Sequence, residues 1–443
     1  MAPRRLIRKT EFVELTLLGI LVTGGMGCVI AAPAPAASSA STQAATAVLA
    51  DLQGRAREAR QTGDWRAYQQ AISEQQTLLN DSPPSLLDSA RAAIRLGDST
   101  RAIQDLTDYA RMGEGPELVD SLPELAELRS RPSFSAIQKR LVSNQRVVSQ
   151  GTVVHAFSDT GLLPEDIDFD SKQHRFILSS VMRHKIVAVG ADGREADLAL
   201  APDGWPLMAL KIDASRGRLW VTEVGMEGFA SVPPRDQGRS VLLRYDLATM
   251  TLVQRVEAPR PAALGDMALM PDGSPIVSDG KHGGVYRLST EGTLERIDAA
   301  QFVSPQTPVI APDGERILIP DYVRGLAILD SRTRAVTWFA SQRRFALNGV
   351  DGMYADGQAL ILVQNGTSPM RISSLTADLR HTRILLARVL ERSSRTLGVP
   401  THGVCLGREF FYIANSGWDS VDQHGLPMAG ARRTAPAIMK TQI

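Results

Sequence analysis

The chain has 443 residues, 43% of them hydrophobic, with a formal net charge of +1. Its length exceeds one typical domain, and two folded units are expected. The near-neutral balance excludes a chain that attracts nucleic acid or an acidic partner through its overall field.

Residues 1–36 read as a signal peptide or membrane anchor. Arg4, Arg5, Arg8 and Lys9 form a basic start, and an apolar run extends from Leu15 to about Ala32. Ala34-Pro35-Ala36 then supplies small residues at a cleavage-like position. The run is near the lower length limit for spanning a bilayer, and Cys28 after Gly27 adds lipidation as a third outcome. After ordinary cleavage only Cys405 remains, so the fold must stand on its core without a disulfide. The expected location is outside the cytoplasm, periplasmic or extracellular, with the membrane touched only by this segment. Residues 37–45, in PAPAASSASTQAA, read as a flexible linker.

Residues 46–145 read as helical, being rich in Ala, Leu, Gln, Glu and Arg. The stretches QTGDWRAYQQAI and RLGDSTRAIQDL are self-similar, and their turns Gly63-Asp64 and Gly97-Asp98 lie 34 residues apart. That is the tetratricopeptide period, and the region resembles such helix pairs. Ala102, Leu106 and Tyr109 share one face, and Pro83-Pro84 breaks the chain between the two units. Two units are fewer than a free-standing solenoid needs. The region is therefore expected to cap the remainder of the chain, with a peptide-binding groove as the alternative role.

From residue 150 to 443 the pattern changes to short strands separated by turn aspartates. Asp170, Asp213, Asp272, Asp313 and Asp356 succeed one another at 43, 59, 41 and 43 residues, and Gly407 holds the position in a sixth copy. A repeat of that length with several strands per unit marks propeller blades. The fold class is thus mainly β: a six-bladed β-propeller preceded by a small helical domain. The sixth blade lacks a strand, and Thr152–Phe157 is expected to supply it beside the C-terminal run Ala435–Gln442. Closing the ring with both chain ends removes exposed sheet edges.

The residues that lead into the inner strands should face the central channel. At equivalent positions stand Glu165, Met208, Gly265, Gln306, Asp351 and His402, with Asp266 following Gly265. Two carboxylates and an amide oxygen suit calcium or magnesium. His402 admits zinc or manganese. The stretches PEDIDFD, PQTPVIAPDG and VDGMYADG resemble inner-strand motifs of the regucalcin/gluconolactonase (senescence marker protein) family, and more loosely those of NHL-type propellers. The resemblance implies a metal-dependent lactonase-type hydrolase. Its divalent cation, calcium first, would be held by Glu165, Gln306 and Asp351, with Asp351 doubling as catalytic base. Where that family has an asparagine this chain has Gln306.

Polar residues also end every second strand, at Ser180, Glu223, Asp279, Asp321, Asn365 and Asn415. Of these, Asp321, Asn365 and Asn415 join His402 and Asp266 as candidate cavity lining. Lys281 and Arg324 lie just beyond and could hold an acidic substrate. Two functions from different classes follow: hydrolysis of a lactone or small ester, or a non-catalytic scaffold that binds a protein, peptide or glycan. The partner is accordingly a small-molecule substrate, or a protein or peptide held by the helical region.

Overall fold

Turn aspartates close the hairpins from which the fold is built. In the computed structural model, which describes residues 44–357 and 359–443, the signal or anchor segment and most of the linker lie outside the described residues. Asp170 Oδ1 accepts the backbone N–H of Lys172, Asp313 Oδ1 that of Glu315, and Asp272 Oδ1 that of Ser274. The outer carboxylate oxygen then meets an arginine, as in Asp170–Arg175, Asp213–Arg216 and Asp313–Arg316. An aspartate that bonds its own turn fixes the hairpin locally.

Six four-stranded antiparallel sheets result. A first strand, β1 (Thr152–Ala156), precedes the blades. Blade one is β2 (Pro164–Asp170), β3 (Arg175–Ser180), β4 (Lys185–Gly190) and β5 (Glu195–Leu200). Blade two is β6 (Leu207–Asp213), β7 (Arg218–Gly225), β8 (Arg239–Asp246) and β9 (Leu252–Glu257). Blade three is β10 (Leu264–Leu269), β11 (Pro275–Asp279), β12 (Gly284–Leu288) and β13 (Leu294–Arg296). Blade four is β14 (Val309–Ile310), β15 (Arg316–Asp321), β16 (Gly325–Asp330) and β17 (Val336–Trp338). Blade five is β18 (Gly352–Asp356), β19 (Ala359–Gln364), β20 (Arg371–Asp378) and β21 (Arg383–Arg392). Blade six is β22 (Gly403–Leu406), β23 (Glu409–Ala414) and β24 (Ala437–Gln442), and its outermost strand is β1, in the order β1-β24-β23-β22. The two chain ends thus close the ring as the sequence predicts, with Val153 opposite Met439 and Ala156 opposite Ala437. Apolar clusters fill the gaps between blades: Ile438 of blade six packs with Ile167, Leu178 and Val187 of blade one.

The helical region is α1 (Ala45–Thr62), α2 (Trp65–Leu78), α3 (Pro83–Arg95), α4 (Ser99–Arg111), α5 (Glu117–Asp120) and α6 (Pro132–Asn144). Its repeated Gly-Asp turn has a physical reason. Gly63 and Gly97 take left-handed backbone at φ 77° and 82° to end one chain direction. Asp64 and Asp98 then cap the next helix, accepting from Ala67 N and Arg101 N at 2.9 Å each. Among the described residues no helix is long and apolar enough to cross a membrane.

The helices sit on one mouth of the propeller. Inner strands begin at the end where second strands finish, since Pro164 pairs with Ser180, Leu207 with Glu223 and Gly352 with Val363. The helical region docks on loops at that same end, over blades three to five. Ala45 N donates to Ala300 O, Asn80 Nδ2 to Phe339 O and Arg324 Nε to Leu78 O. Arg324 therefore anchors helices, and its guanidinium lies 4.0 Å over the Trp338 ring. Lys281 is likewise taken, by Glu227.

Arg371 is the buried bolt of this contact. Only 1% exposed, it donates to Gln364 Oε1 at 3.0 Å, to Gly113 O at 3.1 Å and to Met112 O at 3.3 Å, beside Glu114. Arg371→Ala should cost on the order of 3 kcal/mol, because the groups it satisfies stay buried without it. The check is a thermal melt together with limited proteolysis, in which cleavage should move into residues 46–145.

The polar ends of the second strands mostly serve loops. Ser180 accepts Arg183 N, Asp279 accepts Lys281 N and His282 N, and Asp321 accepts the amides of Val303, Ser304, Val323 and Arg324. Asn415 donates to Thr396 O. Glu223 Oε1 accepts Asp203 N and Trp205 N, while Oε2 is buried without a hydrogen-bond partner. Burial pushes the Glu223 carboxyl up to about 7, with Asp203 adding to it. The folded state therefore holds a proton that the unfolded chain releases near pH 4.5. Stability should fall as pH rises between those values, by up to about 3 kcal/mol. Glu223→Gln should flatten that slope and be the more stable chain at about pH 8, measured by urea denaturation across the range.

Candidate axial cation site

Three blades bring Glu165, Asp351 and His402 together. One ligand atom from each lies within 4.8 Å of the other two, and all three residues are buried. Their exposures are 3%, 2% and 2%. Equal place in the blade repeat thus becomes convergence on the axis. The two carboxylate donors are held from behind. Trp418 Nε1 donates to Glu165 Oε2 at 2.6 Å, and Asn365 Nδ2 donates to Asp351 Oδ2 at 2.6 Å. Asn365 is fixed in turn by Tyr322 Oη at 3.0 Å and by Pro400 O at 2.9 Å.

Two further acids complete the centre. Asp266 Oδ1 lies 3.1 Å from His402 Nε2, and Asp166 Oδ1 lies 3.8 Å from His402 Nδ1. The Nε2 atom is buried and lacks an aligned hydrogen bond, so the imidazole faces the acids without being consumed by them. Thr307 Oγ1 donates to Asp266 Oδ1 at 2.6 Å. Asp166 is compensated by Lys211 Nζ at 2.8 Å and Leu210 N at 2.8 Å. Burial pushes Asp266 up to about 7, with Asp351 and Asp166 adding and His402 opposing. Tyr354, whose Oη accepts Gly403 N at 2.9 Å, is held well above its ordinary value by burial and the same acids. It stays a neutral phenol.

The sequence pattern located blades one, five and six and was displaced by one residue in blades three and four. Asp266, and not Gly265, reaches the centre, and Thr307 does so beside Gln306. In blade three a bulge explains it: the pairing of β10 with β11 shifts register between Leu264 and Asp266. The same shift between Pro164 and Ile167 in β2 lets both Glu165 and Asp166 turn inward. Such bulges re-aim side chains by one residue, and alternation in sequence does not announce them. Gln306 is half-buried, and its amide nitrogen donates to Ser304 O at 3.2 Å and Ser304 Oγ at 3.0 Å. Asp166, Lys211, Thr307 and Tyr354 are not among the candidates that the sequence supplies. Trp418 is readable from sequence only as a ring that could stack on a substrate; its hydrogen bond to Glu165, made from the long loop between β23 and β24, is not. Cys405, in β22, is half-buried and its thiol is pushed up to about 12 by burial, with Asp356 adding to it.

The fold and the site define a six-bladed propeller with a buried acid–histidine centre on its axis. No family model matches this chain, and no curated protein matches it. Solved structures similar to it include virginiamycin B lyase from Staphylococcus aureus, at 12% identity and a TM-score of 0.45, over 66% of this chain and 99% of that one. A luciferin-regenerating enzyme is similar at 11% identity and 0.45, over 67% and 96%. A nidogen/laminin complex is similar at 12% and 0.37, over 51% and 79%. Likenesses of this size carry no argument about chemistry.

Proposed function

We propose that this chain is a propeller that holds a divalent cation on its axis and uses it to hydrolyse a lactone or small ester. The observation that carries the reading is the convergence of Glu165, Asp351 and His402. Four buried carboxylates, of Glu165, Asp166, Asp266 and Asp351, meet one ammonium, of Lys211. Such a cluster needs protons or a cation to exist in a dry interior. The buried, unaligned Nε2 of His402 is a ready donor to an ion. An imidazole among carboxylates favours zinc or manganese over the calcium first expected, since calcium takes oxygen ligands. Gln306, whose amide nitrogen is engaged by Ser304, gives way to His402 as third donor in this proposal.

A bound ion would supply Lewis-acid polarisation of a carbonyl. The chain's own residues do the rest. Asn365 and Trp418 orient the donors Asp351 and Glu165, and Lys211 compensates Asp166 so that it need not compete. Asp266, whose carboxyl burial pushes up to about 7, is placed to hold or move a proton beside His402 Nε2. Asp351 remains the residue proposed as base. Export, inferred from the N-terminal pattern, belongs to the same proposal.

The burial of the donors favours a second reading, in which the ion is a structural bolt in a binding scaffold. Titration calorimetry of chelator-stripped protein with zinc, manganese, calcium and magnesium tests the shared part. Lactone and ester turnover by the reloaded protein then separates the two: turnover lost in Asp351→Asn supports the hydrolase, and tight metal binding without turnover supports the scaffold.

A further inference from the structure

The segment 343–348, which leads into the axial donor Asp351, is gripped by the helical region. Arg343 reaches Asp81 at 2.8 Å and Asp108 at 3.3 Å. Ala346 N donates to Met112 O at 3.3 Å, and Ala346 itself is buried among Leu106, Tyr109 and Met112.

The propeller holds the same segment with one buried side chain. Gln364 ends β19. Its Nε2 donates to Ala346 O at 2.9 Å and to Asn348 O at 3.2 Å. Its Oε1 accepts Arg371 Nε at 3.0 Å and Ser373 Oγ at 3.3 Å. Both hydrogens of the amide and both acceptor positions of its oxygen are engaged, and because a guanidinium can only donate, the amide has one possible orientation. Arg371 continues to Met112 O, the carbonyl that also receives Ala346 N.

The residue after Gln364 serves the axis. Asn365 Nδ2 donates to Asp351 Oδ2 at 2.6 Å. Around it Asp351 N donates to Val363 O at 2.9 Å, and Gly366 N to Gly349 O at 3.1 Å. Residues 363–366 therefore hold Asp351 and the backbone that leads to it as one piece, with Gln364 tied to the helical side and Asn365 to the donor. A metal donor must be held to within a fraction of an ångström by the groups behind it, so slack at 346–348 reaches the carboxylate.

We infer that the helical region belongs to the axial site and does more than cap the ring: through Gln364 it fixes the segment that carries Asp351, and Gln364 is a positioning residue for the cation. The inference rests on the axial-cation reading proposed above.

The variant Gln364→Glu separates docking from positioning. A glutamate keeps acceptors for Arg371 and Ser373 but has no N–H for Ala346 O and Asn348 O. Arg324→Gln is the comparison, because Arg324 ties the same helices at another point, through Leu78 O. Zinc titration calorimetry of the full chain should show affinity about tenfold weaker in Gln364→Glu and equal to the parent's in Arg324→Gln, although both variants lower the melting temperature of the metal-free chain. Hydrogen exchange of the metal-free chain should be faster across residues 346–353 in Gln364→Glu than in Arg324→Gln. If Gln364→Glu does not fold, Arg343→Gln, at a half-buried position, releases the same segment from Asp81 and Asp108 and carries the same expectations. Parent-like zinc affinity in the positioning variant, or equal weakening in both variants, would overturn the inference; the helices would then act through stability alone. A parent chain that binds neither zinc nor manganese defeats the cation reading separately. Exchange then decides the positioning of Asp351: faster exchange at 346–353 upholds it, and unchanged exchange overturns it.

Discussion

A chain ending before Ala437 should fail to form the propeller. Strand β24 is paired on both sides, with β23 from Glu409↔Gln442 to Ala414↔Ala437 and with β1 from Thr152↔Lys440 to Ala156↔Ala437. Ala437, Ile438, Met439 and Thr441 are buried. Ile438 packs towards blade one, and Met439 joins the cluster that contains Ile361, Val363 and Ile372 of blade five. Losing Ile438 and Met439 alone removes several kcal/mol, against a total stability of about 5–15 kcal/mol for a domain. The loss also strands β1 and bares the edge of β23, which invites association. Circular dichroism melts and size-exclusion chromatography should therefore show no cooperative transition and a shift to aggregates. A cooperative melt close to that of the full chain would refute the closure argument. Removing β1 alone should do less, because the side chains from Thr152 to Ala156 are largely exposed; Phe157, 2% exposed, is the part of that end which packs.

The contrast between the two strands explains what the sequence could disclose. Turn aspartates and apolar runs are local, so the blades, their order and the missing strand are legible in the sequence alone. Glycine and aspartate at 63–64 and 97–98 announced the helix pairs for the same reason: a left-handed C-cap and an N-cap are each settled by a few neighbouring atoms. The centre is legible only in part. Glu165, Asp351 and His402 obey the repeat. Asp266 and Thr307 sit one residue beyond the positions that repeat assigns, and only the bulge in β10 is visible as a cause. Trp418 reaches Glu165 from 253 positions along the chain. No spacing rule contains that contact, since loop length does not fix where a loop lands.

Stripping the protein of metal should lower its melting temperature, and reloading it with zinc or manganese should restore it. The acid cluster is the reason. Without an ion, one or more of the four carboxylates must carry a proton or repel its neighbours through a poorly screened interior. A ligand that binds only the folded chain stabilises it by about 2.7 kcal/mol at a hundredfold excess over Kd. For a propeller of this size that is a shift of a few degrees, readable by scanning calorimetry. Removing a donor should separate metal binding from folding. Glu165→Gln retains an oxygen and its Trp418 contact but loses the charge, and should weaken the metal by more than tenfold, about 1.4 kcal/mol. His402→Ala removes the nitrogen donor and leaves a cavity between Asp166 and Asp266, so the metal-dependent shift should vanish. The metal-free variant should itself melt below the metal-free parent, because a buried side chain is lost and a cavity left, so the quantity to read is the metal-dependent shift of each chain. Two outcomes would defeat the cation reading: a melting temperature indifferent to every metal tried, or a His402→Ala chain that still gains stability from zinc to the full extent. In the first case the acids are held by protons alone, and Asp266, already pushed up to about 7, is the group that carries one.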